Sequence, residues 1–76
     1  MFQSIVAVCK PYLGDQTETF LSRQCVFHLH TPTKDLTKHD LPELGRWAEI
    51  SGTLLIGKEK AREMRKRIEG LVRKAS

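Results

Sequence analysis

The side chains with chemical potential in this chain are three histidines, two cysteines and an excess of cations. Cys25 and His28 stand one helical turn apart, and His30 and His39 follow. These are zinc-ligand types, but their spacing matches none of the Cys/His frames that hold the ion. On a helix His28 and His30 point about 200° apart, so one ion cannot take both. A reactive thiol needs a neighbouring base and an electropositive, partly open setting. Cys9 and Cys25 fall instead on apolar stripes, and no Gly-rich phosphate loop accompanies them. Asp35, His39 and Asp40 cluster in sequence, yet Asp40 reads better as a helix cap. No catalytic residue, metal or cofactor is expected, and the chain is read as non-enzymatic.

The cations are placed unevenly. Thirteen Lys and Arg against nine Asp and Glu give a net charge of +4. Residues 58–76 hold eight of the cations and three Glu, while residues 1–57 hold five cations and six acids. The excess therefore sits on the last segment. Arg62, Lys66 and Arg73 are the candidates for a phosphate-binding patch on nucleic acid. No aromatic residue stands among them to stack a base. An acidic partner or a membrane surface suits the same charge, and so does a plain solvated helix face whose macrodipole favours Arg73 and Lys74.

Seventy-six residues make one domain, 1–76, and a chain this short buries only about 60% of its unfolded surface. The hydrophobic fraction is 39%; without Tyr and with the five Gly it is about 45%, at the low end of a globular composition and unlike a disordered chain. No apolar run approaches the roughly 20 residues of a membrane span, and no charged leader precedes one. A cytoplasmic, reducing compartment is expected, with both thiols free. With no disulfide frame, self-association is the usual remedy for a thin core. A homodimer or a protein partner is therefore expected.

The elements that must position these groups read as four helices in an all-α, small four-helix bundle. The first spans about Phe2–Leu13, with Phe2, Ile5, Val6, Cys9 and Leu13 on one face. Pro11 should kink it, and Gly14 should stop it. A strand is the alternative, because Ile5–Val8 is partly β-branched. The second helix opens at Asp15, where Asp15 and Glu18 resemble a capping box, and reaches about His30 before Thr31-Pro32. Phe20, Leu21, Cys25, Val26, Phe27 and Leu29 cover most of its circumference, so it is buried on several sides or lies in an interface.

The third helix opens at Asp40-Leu-Pro-Glu43 and ends at Gly57. Leu44, Trp47, Ala48, Ser51, Leu54 and Leu55 are read as its core face. Gly45, Ala48 and Gly52 offer a side where another helix can come close, either the second helix or a second copy of the chain. The fourth spans Lys58 to about Lys74 with Ala61, Met64, Ile68, Leu71, Val72 and Ala75 as a narrow seam. Trp47 is read as the centre of the core, or otherwise as an interface anchor. The expected interface comprises Phe20, Val26, Phe27, Leu29, Gly45, Ala48 and Gly52.

Lys10-Pro-Tyr-Leu-Gly14, followed by a helix with Phe20, Leu21 and Arg23, resembles the opening of small helical modules appended to bacterial signalling proteins such as Ser/Thr kinases and response regulators. The likeness covers about 20 residues and departs at Asp15, where the pattern has proline. It implies a bacterial accessory or interaction module and brings no catalytic residue with it.

Overall fold

The computed structural model describes the backbone of residues 1–75 and the side chains of residues 1–72. The described residues form an all-α fold without strands. Helix α1 is Phe2–Leu13, α2 is Thr17–Gln24, α3 is Leu41–Ile56 and α4 is Lys58–Ala75. The all-α class holds, but α2 keeps only eight residues, so the expected four-helix bundle is corrected to three long helices with one short helical segment. Pro11 lies in the last turn of α1, where its missing amide costs one hydrogen bond, and the helix continues past it to Leu13.

The second segment departs most from expectation. Gly14–Gln16 forms a tight 3₁₀ turn, and α2 starts only at Thr17, whose hydroxyl donates to the Gly14 carbonyl at 2.6 Å. The Asp15–Glu18 capping box does not form, since no side chain caps α2. Beyond Gln24 the chain widens into a π turn, Cys25–Leu29. His30 ends it in the left-handed region at φ 54°, a conformation His enters more readily than most residues. The Thr31 amide then donates to the Cys25 carbonyl at 3.0 Å.

Asp40 also acts one turn earlier than expected. Its carboxylate accepts from the Thr37 amide at 3.0 Å, closing the 3₁₀ turn Lys38–Asp40, and α3 follows with Pro42 in its first turn. At the far end Gly57 alone joins α3 to α4. Its φ of 88° reverses the chain in one residue, which a Cβ would resist.

That reversal lays α4 antiparallel along α3. A Cβ on Gly45 would lie 3.3 Å from Arg65 Cγ, and one on Gly52 would lie 3.1 Å from Met64 Cε. The small-residue side of α3 is therefore filled mainly by α4, with the Phe20 ring of α2 also 3.8 Å from where a Cβ on Gly52 would lie, and it is not free surface. The core gathers Ile5 and Cys9 from α1, Phe20 and Leu21 from α2, Leu41, Leu44 and Ala48 from α3, and Met64 and Ile68 from α4, with Cys25 and Leu36 closing it. No helix among the described residues is long and apolar enough to cross a membrane.

Candidate functional site

Two contacts set the register between the second segment and α3. Ser51 Oγ donates to Gln24 Oε1 at 3.0 Å, and the His28 ring stacks on Trp47 with centroids 3.9 Å apart and planes 7° from parallel. Gln24 is itself buried and donates its amide to the Phe20 carbonyl at 3.3 Å, so the contact leaves no polar group unsatisfied. The two segments run antiparallel, with Phe20 reaching Gly52 at the opposite end.

Between them lies an open groove of about 520 Å³. Phe20, Gln24 and Ser51 line its floor side, and Leu54 and Leu55 line the α3 side. Asp15 and Arg23 are the charged residues in its lining. Phe27 lies one turn beyond Arg23 on the same side of the second segment, with Val26 next to it. Exposures are high for apolar side chains: 53% for Val26, 67% for Phe27, 50% for Ile50, 90% for Leu54 and 59% for Leu55. Trp47, Ile50 and Leu54 fall at helical spacing along the outer side of α3, so the groove and these side chains make one apolar strip.

The expected interface residues divide sharply. Val26 and Phe27 are exposed and belong to the strip, and Leu29 is half-buried. Phe20 is buried in the core, a correction that follows from its ring being enclosed between α2 and Gly52. Gly45, Ala48 and Gly52 are corrected too, because all three are buried and side chains of α4 lie against both glycines. Leu54 and Leu55, read as core, are exposed instead. Ile50, Leu54 and Leu55 are the surface residues that sequence reasoning missed. A signal was present: Ile50 and Leu54 interrupt a face otherwise bearing Glu43 and Arg46, where a solvated helix has no need of apolar side chains. Trp47 is half-buried and committed to His28 rather than central to the core.

The basic helix is less free than its charge suggests. Arg65 Nη1 meets Glu49 Oε1 at 2.7 Å and Arg65 Nε meets Glu69 Oε2 at 3.2 Å, and these carboxylates hold the guanidinium firmly protonated. Arg67 Nε donates to the Tyr12 hydroxyl at 2.8 Å. Arg62 and Lys66 are exposed, and they share a shallow hollow with Glu49 and Glu69. The Arg73 and Ala75 side chains lie outside the described residues.

Both thiols are enclosed. Burial pushes Cys9 up to about 12. Burial, and then the negative charge of Asp40, pushes Cys25 up to about 11. Among the described residues no three His, Cys, Asp or Glu side chains come together to hold a metal. Comparison with known proteins gives no match to a family model, to a curated protein or to a solved structure.

Proposed function

We propose that this chain is a small helical interaction module that binds protein through the strip on the α2–α3 side and performs no catalysis itself. The exposure of Leu54, 90%, together with that of Phe27, 67%, is the observation that carries this reading. A lone exposed leucine is ordinary, but the five large apolar side chains of this strip present roughly 400 Å². That is as large as the biggest patch on a typical monomer, a size that marks interaction sites. The deep placement and raised pKa of both thiols support a non-catalytic role, since neither is poised as a thiolate. The resemblance of residues 10–23 to bacterial signalling modules points the same way, and a single cytoplasmic domain fits it.

The test is photo-cross-linking in the intact host cell, with a benzophenone amino acid at position 54 or 27 and a control at exposed Lys34. The reading expects cross-links to polypeptide at 54 and 27 and not at 34. Equal capture at all three positions, or none at any, overturns it.

A second reading assigns nucleic-acid binding to α4, and one contact favours it. Tyr12, brought from α1 to Arg67, supplies the aromatic ring that the basic segment lacks in sequence. Arg62 and Lys66 would add phosphate contacts. The expected sign is an affinity for single-stranded DNA or RNA that falls about tenfold or more between 50 and 200 mM salt. Absence of any gel shift at low salt dismisses it.

A further inference from the structure

We propose that the partner of the α2–α3 strip is a second copy of this chain, joined about a twofold axis that passes beside Leu54. The inference rests on the interaction reading above and adds the identity of the partner.

Charge placement is the first argument. Asp15 and Arg23, the charged pair of the groove lining, lie about two helical turns apart along the second segment. A strip with an anion towards one end and a cation further along complements itself when turned end for end. Asp15 of each copy then faces Arg23 of the other, as an isologous interface requires. A head-to-head arrangement would set like charges together. Leu54 falls between the two in the antiparallel register set by Gln24–Ser51 and His28–Trp47. End-for-end pairing therefore brings Leu54 against its own counterpart near the axis.

Area is the second argument. A stable interface buries about 800 Å² per partner, of which roughly 57% is apolar. That asks for roughly 450 Å² of apolar surface, so the contact extends past Arg23 to Val26 and Phe27, which end-for-end pairing lays beyond Asp15 of the other copy. The remaining polar area is at hand in the groove walls, which include Gln16, Thr19, Asp15 and Arg23.

Sedimentation of three variant samples of the full chain tests the pairing at low salt: Asp15→Arg alone, Arg23→Asp alone, and the two mixed in equal amounts. Both positions are exposed, so circular dichroism should show unchanged helix content. The wild type should reach twice the chain mass in the micromolar range. Each variant alone sets like charges together and should need at least tenfold more protein to dimerise. The mixture restores both opposite-charge contacts in the heterodimer and should return to within about threefold of wild type. A wild type that stays monomeric to high micromolar concentration, or a mixture no tighter than its components, overturns the proposal. The cross-link at position 54 separates the two readings. A product of twice the chain mass supports self-pairing, and a product with a different polypeptide overturns it while leaving the interaction module intact. No site-dependent product overturns both.

Discussion

Leu44 and Leu54 belong to the same helix, yet Leu44 is fully enclosed and Leu54 is 90% exposed. The two sides of α3 they mark differ in kind. One side, with Gly45, Ala48 and Gly52, is stripped of bulk, and α4 sits close enough that added carbons would meet Arg65 and Met64. The other side keeps Ile50 and Leu54, both exposed, and Leu54 borders the groove. The small residues serve the fold and the large ones serve the surface. Volume at a helix contact is shared, so where α4 supplies Met64 and Ile68, α3 must give room.

The largest expected effect breaks that comparison directly. Leu44→Ala should destabilise the chain by about 3 kcal/mol, whereas Leu54→Ala should stay within about 0.5 kcal/mol in urea unfolding at protein concentrations below dimerisation. Equal losses would mean that the two sides are not different after all. Gly52→Val comes next. It places a Cβ 3.1 Å from the mobile end of Met64 and adds a branch beyond it, and about 2 kcal/mol should be lost as α3 and α4 are pushed apart. Leu54→Val, by contrast, should cost only a few tenths of a kcal/mol through helix propensity.

The enclosed side should also show a pH signature. The fold keeps Cys9 and Cys25 protonated up to about 12 and about 11, while the unfolded chain releases those protons near 8.5. This stabilisation is therefore fully present below about pH 8.5 and is lost as pH rises from there through about 11–12. At pH 10 the loss should be on the order of 1–2 kcal/mol per thiol. Thermal midpoints of the wild type and a Cys9→Ala, Cys25→Ala variant, followed from pH 7 to 10.5, should diverge in that direction. The smallest effect belongs to the α3–α4 rim. Glu49→Gln removes the carboxylate 2.7 Å from Arg65, a partly exposed pair worth roughly 0.5 kcal/mol, and chemical denaturation in low and high salt should show that difference shrinking.

Much of the framework was legible because its punctuation is chemical. Gly14, Pro42 and Gly57 mark ends and starts that hold to within a residue or so. The second segment differs from expectation at both ends because its signals are ambiguous. Asp15 looks like a cap but sits inside a 3₁₀ turn, and His30 takes the left-handed position where a glycine would have announced the stop. The surface was harder to read than the elements. Helical spacing groups Leu54 with Leu44, Trp47 and Ser51, but it does not say through what arc neighbours cover the helix. Leu54 falls about 120° round from Ala48, beyond the arc that α4 and α2 reach. The exposure of Val26 and Phe27 is legible in sequence, because a helix apolar nearly all round cannot hide every side chain in a core this small.

The stack of His28 on Trp47 gives the molecule an optical property. Trp47 is the chain's one tryptophan, and its indole lies face to face with an imidazole 3.9 Å away at the junction between the second segment and α3. Emission from this protein is therefore the emission of a single junction. Any event that parts the second segment from α3 should change its intensity and colour. A fluorimeter pointed at the unmodified chain thus reports on the His28–Trp47 contact, with no label attached.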